Sequence, residues 1–296
     1  MDKKPVVISM INLKGGVGKT TITLALADFI SNILLKKVLV IDMDPQCNAS
    51  MAFLGETRWL EKEEKKETLY HLFKDCINNR NTFSIQKAVE VNVSNINQRG
   101  SVINLLPSSL GLIYFQDFIP IVENNTLKLS NCRILKQKLK SVIKEYDYVL
   151  IDCPPNLGIL SLNALFMSDY YIIPVIPDHL STLGIPSILN RLNFISKRAT
   201  DFKVKPLGVL ISMYRTATKL HNQKSQQLYE MSFSRKIPYV FDTKIPLSID
   251  FAEAVQARSF STLRQKYGSH FSIFTQLLEE IEKHIKNLNF GVYGRV

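Results

Sequence analysis

An apolar run, Val6 to Ile11, leads directly into Lys14-Gly15-Gly16-Val17-Gly18-Lys19-Thr20-Thr21, after which apolar residues recur at helical spacing as far as Ile30. Strand, glycine turn and helix in that order constrain this chain more than any other stretch of it. The glycines let backbone N–H groups close around an anion, and the N-terminus of the following helix adds its partial positive charge. The pattern places Lys19 at the β- and γ-phosphates of a nucleotide, the Thr20 hydroxyl on Mg²⁺ and Thr21 at the α-phosphate. Two features depart from the common form G-x-x-x-x-G-K-[ST]. Leu13 stands at the position of the first glycine, and a second lysine, Lys14, follows it. A glycine turn that binds nothing is the competing reading, and the fitting strand and helix on either side argue against it.

A second apolar run, Lys37 to Ile41, ends in Asp42-Met43-Asp44-Pro45-Gln46, and a third, Tyr148 to Ile151, ends in Asp152-Cys153-Pro154-Pro155. Ligands of open parallel sheets bind at the carboxyl ends of strands. One acid at such an end is also a common turn former; three beside a phosphate loop describe a Mg²⁺–nucleotide site. Together these runs resemble the ParA/MinD family of ATPases with a deviant Walker A motif. The closest likeness is to the ParA, or Soj-like, branch, which segregates plasmids and chromosomes. Asp44-Pro45-Gln46 and Leu162-Asn163-Ala164-Leu165 favour that branch. The resemblance extends from about Val6 to about Leu288 and is weakest between Gly55 and Gly100.

The resemblance implies an α/β P-loop NTPase with a mostly parallel, twisted sheet and helices on both faces. It implies ATP and Mg²⁺ as ligands, and a homodimer closed by ATP. Lys14 matches the lysine that crosses the dimer interface to the partner's ATP, much as an arginine finger does; a solvated Lys14, or one serving its own nucleotide, is the alternative. Lys14, Lys19 and Asp44 form the catalytic set, with Asp44 orienting the attacking water. Thr20 and Asp152 hold Mg²⁺, with Asp42 behind them. Asn12, Gly15, Gly16, Val17, Gly18, Lys19, Thr20 and Thr21 surround the nucleotide. The adenine falls to Lys244-Ile245-Pro246 and a helix from Ile249, Pro246 being the named contact. Asn156 stands where the family commonly has a small residue such as serine.

No linker, repeat or low-complexity tract divides the 296 residues, so one domain, 1–296, is expected, with a mostly helical insertion at about 55–145. Strands are expected at Val102–Leu106, Tyr146–Ile151, Tyr170–Pro174 and Val204–Ile211 and near Tyr239. Helices are expected at Thr68–Cys76, Ser109–Phe118, Leu129–Lys144, Ile185–Ala199, Asn222–Phe233 and Phe271–Asn287. The charge-balanced run Glu61 to Glu67 reads as a solvated loop or helix start rather than a binding patch. The four cysteines show no paired spacing, which fits a reducing compartment, and the five histidines show no metal spacing. Without a signal peptide or a spanning apolar run, the expected location is cytoplasmic and nucleoid-associated.

The formal net charge is +11, and it is concentrated. Ten basic residues but only two acids, Asp201 and Glu230, lie between Ser187 and Lys236. Such a concentration suits a polyanion surface, and no base-reading motif accompanies it. Sequence-indifferent DNA binding is expected at about 187–236; the resemblance implies Arg191, Arg215 and Lys219 as the matches to the family's DNA contacts, with Lys197, Arg198 and Lys224 as their neighbours. A merely basic surface is the alternative. By the resemblance the partners are a second copy of the chain, DNA, and a ParB-like or other cargo adaptor that stimulates hydrolysis. A MinD-like membrane-cycling ATPase that positions division is the alternative function, and it needs an amphipathic C-terminal anchor. A metabolic ATP-dependent synthetase on the same scaffold is a third class. No stable membrane association is expected.

Overall fold

Apolar residues alternate face by face along six strands, and both faces of the sheet are buried. In the computed structural model, which describes residues 4–97, 100–118, 122–123, 126–127, 129–248, 251 and 257–290, these strands are β1 (Val6–Met10), β2 (Lys37–Asp42), β3 (Val102–Leu106), β6 (Tyr148–Asp152), β7 (Tyr170–Val175) and β8 (Lys205–Ile211). A two-residue hairpin, β4 (Val122–Glu123) and β5 (Thr126–Leu127), stands apart from them. The sheet order is β3-β2-β6-β1-β7-β8, parallel throughout. Val7, Leu39, Ile41, Val149, Ile151, Ile173 and Val209 pack into one core. Their neighbours Ile8, Met10, Val38, Val40, Leu150, Ile172 and Leu210 pack into the other. Doubly buried parallel strands need helices on both faces, as expected from the sequence.

The helices are α1 (Lys19–Ile33), α2 (Asn48–Glu64), α3 (Leu69–Ile77), α4 (Ile85–Ala88), α5 (Leu112–Phe118), α6 (Ile134–Leu139), α7 (Ile159–Met167), α8 (His179–Ser196) and α9 (Lys219–Phe233). A short helix, Leu263–Tyr267, and a long one, Phe271–Asn289, follow. Helices α3 to α9 cover the first face; α1, α2 and the two last helices cover the second. From β1 the chain moves through α1 to β2 on one side. From β6 it moves through α7 to β7 on the other. The carboxyl ends of β1 and β6 therefore flank the crevice where such sheets bind ligands.

Several expected elements differ in detail. The expected helix 129–144 is a 3₁₀ turn (Ser130–Arg133), then α6, then another 3₁₀ turn (Val142–Glu145). Helix α8 starts at His179, six residues before the expected Ile185, and keeps Pro186 inside it. Helices α2 and α7 were not foreseen. All nine residues of α7 are buried, so it has no polar face to reveal a helical period. Gly55 inside α2 has φ 70° and ψ 170°, which interrupts the helix and its pattern. The expected strand near Tyr239 is a single bridge, Val209 with Val240.

That bridge depends on Gly208. A Cβ there would lie 2.7 Å from the Phe241 ring and 2.8 Å from the Tyr239 carbonyl oxygen, where Val209 N donates to Tyr239 O and Phe241 N to Val209 O. Gly208→Ala should therefore lower stability by about 1–3 kcal/mol through overpacking, measured by urea unfolding; an unchanged midpoint would contradict the close approach.

Candidate functional site

The phosphate loop is pinned at three points before α1 begins. Asn12 donates its side-chain amide to Pro174 O at 2.6 Å and accepts from Lys14 N at 2.9 Å. Ser212, just past β8, donates to Val17 O at 2.8 Å. Gly16 and Gly18 take φ of 73° and 84°, the left-handed region that glycine enters freely. No side chain caps α1, and its first turn carries no acid. Its terminal N–H groups are thus left to an anion. The resemblance places Asn12 around the nucleotide; in the structure its side chain ties the loop at Lys14 N to the β7 carbonyl of Pro174.

Strand register brings the acids together. Asp42 and Asp152 are cross-strand partners, and Met10 of β1 aligns with Asp152 on its other side. Asp42 is fully buried. Its carboxylate accepts from Ser50 N at 2.8 Å, Ser50 Oγ at 2.7 Å and Asp44 N at 3.2 Å. It thereby braces the turn that presents Asp44. Asp44 accepts from Gln46 N at 3.0 Å, and its carbonyl accepts from Ser108 Oγ at 2.6 Å. Asp152 Oδ2 accepts from Thr20 Oγ1 at 2.6 Å, whereas Asp152 Oδ1 is buried with no partner.

Burial raises all three carboxyl pKa values. Asp42 is pushed up to about 7 despite the Ser50 hydrogen bonds, and Asp152 stands well above its ordinary value with the Asp42 charge adding to burial. Asp44 is raised by burial and pulled back by Gln46 N–H and by Lys19. Lys19 is buried and its pKa is lowered by that burial, against the attraction of Asp152 and Asp44. A hydroxyl and a carboxylate with an unused buried oxygen form a hard-oxygen pair suited to Mg²⁺. Among the described residues no cluster of three His, Cys, Asp or Glu side chains could hold a metal alone, so phosphate and water oxygens would complete the shell. The neighbouring thiols of Cys47 and Cys153 are buried and their pKa values are raised by that burial, which keeps them protonated.

The two lysines of the loop have different surroundings. Lys19 is 6% exposed and its Nζ reaches Lys14 O at 3.4 Å. The Lys14 side chain is 37% exposed and its Nζ pairs with Asp178 Oδ2 at 2.6 Å. Asp178 sits immediately before α8, at the carboxyl edge. Pro246 lies alongside the same edge: Tyr214 N donates to Ile245 O and Leu247 N to Tyr214 O, and Met213 borders Gly18. Ile249 lies outside the described residues. Ser50, Ser212 and Asp178 were not picked out from the sequence. Their one signal is position, since Ser212 and Asp178 closely follow apolar strands.

The basic residues are divided by topology. Parallel β7 and β8 force α8 to run from the carboxyl edge to the amino edge. Lys197 and Arg198, past the end of α8, are therefore at the amino edge, with Arg198 over the Phe194 ring at 3.6 Å. Arg215 follows β8, and Lys219 opens α9, at the carboxyl edge; Lys224 lies about one turn further along α9. Lys197, Arg198, Arg215 and Lys219 are exposed, while Arg191 and Lys224 are half-buried. Asp201 is held by Arg133 in two 2.7 Å bonds, so it does little to offset the patch.

The AAA domain family matches this chain over residues 5–205. The sporulation initiation inhibitor protein Soj of Bacillus subtilis is 32% identical over 250 residues, 84% of this chain and 87% of that protein. The chromosome-partitioning ATPase Soj of Treponema pallidum is 30% identical over 246 residues, 82% of this chain and 84% of that protein. A plasmid partition protein from Borrelia burgdorferi, solved with AMPPNP, superposes with a TM-score of 0.67 at 24% identity, covering 95% of this chain and 99% of that one. At that identity the superposition establishes the shared fold.

The raised carboxyl pKa values have a sign. A folded chain that holds protons the unfolded chain releases loses stability as pH rises. For Asp42 that window runs from the ordinary 3.8 to about 7. Urea unfolding of the nucleotide-free protein should show stability falling across this window. Asp152→Asn, which removes a second carboxyl that burial holds protonated in the folded chain, should flatten the fall; an identical slope in the variant would contradict it.

Proposed function

The chain belongs to the ParA/Soj-type partition ATPases of the ParA/MinD family, and from that premise we propose that it positions a cargo by an ATP-driven cycle of DNA binding and release. Two copies close around ATP, the closed dimer holds nucleoid DNA without reading its sequence, and a ParB-like or other adaptor on the cargo stimulates hydrolysis. The observation that carries this reading is the division of labour between the loop lysines. Lys19, buried against Asp44 and Asp152, serves the nucleotide of its own chain. Lys14, half-exposed at the rim, is placed to serve a second one once its pair with Asp178 opens.

The Thr20 hydroxyl and the Asp152 carboxylate are the Mg²⁺ ligands of this proposal, and the ion supplies charge neutralisation on the phosphates when bound. Asp44 orients the attacking water, held in place by Gln46 N–H and, through its carbonyl, by Ser108. Asp42 fixes the turn between β2 and α2. In the DNA-bound state Arg215, Lys219 and Lys224 contact phosphates, because they share the carboxyl edge or its flank with the nucleotide. Lys197, Arg198 and Arg191 extend the basic surface away from that edge.

The membrane-cycling alternative gains nothing from the last helix. Its apolar residues Phe274, Leu277, Leu278, Ile281 and Ile285 are buried in the core, and Phe274 packs on Phe29 of α1. Among the described residues no helix is long and apolar enough to cross a membrane. A metabolic synthetase would not require the concentrated basic charge.

DNA binding measured without nucleotide, with ADP and with ATP across a salt series tests the proposal. Tight binding should require ATP and weaken steeply with salt, and Arg215→Ala with Lys219→Ala should reduce the salt slope by about two. Nucleotide-independent or salt-insensitive binding would overturn it, as would ATP-dependent flotation with anionic liposomes in place of DNA binding. Lys14→Ala should lower hydrolysis by about a thousandfold while ATP binding persists; normal turnover would exclude a role in trans.

A further inference from the structure

The end of α2, the length of α3 and the loop into α4 enclose an open cleft of about 420 Å³. Five cations line it: Lys65, Lys66, Lys74, Arg80 and Lys87, and all five are exposed. Two acids, Glu67 and Asp75, line it as well, but both are already engaged. Glu67 takes Lys62 at 3.0 Å. Asp75 accepts from Thr82 N at 3.0 and 3.1 Å and from Thr82 Oγ1 at 2.6 Å. Lys65 has only an exposed pair with Glu61 at 3.4 Å, an interaction of little strength. The cleft therefore keeps an excess of positive charge that its own acids do not quench.

The backbone that carries its cations is held by the fold. Lys62 binds Glu67, Glu90 and the carbonyl of Lys87, tying the end of α2 to α4 behind the cleft. Lys66 turns the chain out of α2 with φ 59°. Arg80 lies between Asn79 and Asn81, whose φ values are 52° and 53°, and donates its backbone N–H to Asp75 O at 3.0 Å. Thus cations converge from α2, α3 and the following loop on one concavity, beside the half-buried ring of Phe83. No lining residue belongs to the phosphate loop, to the carboxyl ends of β2 and β6, or to the basic segment 187–236. The charge-balanced run at residues 61–67 is therefore sorted by folding: Lys62 becomes internal, and Lys65 and Lys66 face the cleft.

We infer that this cleft binds a small molecule carrying two or more phosphate groups. The volume lies within the range of small-ligand sites, about 300–1,000 Å³. The concavity suits a compact anion better than a DNA duplex, whose phosphates lie on a convex surface. The guanidinium of Arg80 matches phosphate oxygens in a fork, and the lysines supply point charges around it.

Calorimetric titration with inorganic tripolyphosphate tests the inference on the full-length chain. The phosphate loop competes for the same probe, so wild type is compared with Lys19→Ala. One equivalent should still bind to Lys19→Ala. Lys74→Glu with Arg80→Glu, placed in that background, should weaken the binding by about tenfold or more. Lys74→Arg, which keeps the charge and leaves Arg80 in place, should retain it, and circular dichroism shows that each variant folds. Loss of all binding in Lys19→Ala overturns the inference, because the loop was then the only site. Binding that is indifferent to the charge reversal also overturns it. So does binding of duplex DNA or a poly-glutamate peptide that depends on Lys74 and Arg80 while tripolyphosphate does not bind.

Discussion

An excess of buried negative charge at the carboxyl edge of the sheet governs the site. Asp42, Asp44 and Asp152 are no more than 6% exposed, and among the described residues Lys19 is the one buried ammonium that faces them. Strand register creates the arrangement, because Asp42 and Asp152 are cross-strand partners. Desolvation penalises each carboxylate, and their mutual repulsion adds to it. Protonation relieves the excess, and so does a cation placed against the unpartnered Asp152 Oδ1. The free fold thus contains an electrostatic demand that the proposed Mg²⁺–nucleotide complex would satisfy. Ligand binding then stabilises the folded chain by mass action as well as enabling chemistry.

The same edge explains why two lysines in one loop need not compete. Lys19 begins α1 and is drawn inward by the carboxylates, whereas Lys14 precedes the glycines and is drawn outward to Asp178. An exposed ion pair of this kind contributes little to stability. It opens at low cost when a stronger anion is offered, and the phosphates of a second nucleotide are such an anion. Asn12 holds the loop at Lys14 N and Ser212 holds it at Val17 O, between the two lysines, so that motion of the Lys14 side chain does not disturb the loop.

Much of this was legible in the sequence, and the gaps have physical causes. The bounds of β3 and the run from β1 into α1 follow directly from apolar runs and a glycine turn. The motif residues Lys14, Lys19, Thr20, Asp42, Asp44 and Asp152 announce themselves because their chemistry recurs at fixed spacing after strands. Helix α7 gave no signal because it is buried all round, and α2 because Gly55 interrupts a polar segment. Ser50 and Ser212 were missed since their hydrogen bonds, two from Ser50 to Asp42 and one from Ser212 to Val17 O, form only once the chain has folded. The basic segment 187–236 was visible as charge, but its division between two edges of the sheet follows from the direction of α8, which no composition reveals.

Charge placement also bears on how the two anion-binding regions relate. Helix α2 joins them. Its first turn holds Asp42 through Ser50, and its last turn carries Lys62, which ties α2 to α4 behind the basic cleft. A rigid helix would transmit a shift at one end to the other, but Gly55 breaks the hydrogen-bonded run between them. The half nearer the cleft is instead tied to the Asp44 turn by Trp59, whose indole N–H donates to Ser108 O at 3.0 Å, while Ser108 Oγ donates to Asp44 O. Ser108 N also donates to Ser50 Oγ at 2.9 Å, so communication between cleft and catalytic turn would pass through Ser108, which joins Trp59, Asp44 and Ser50, rather than along the helix axis.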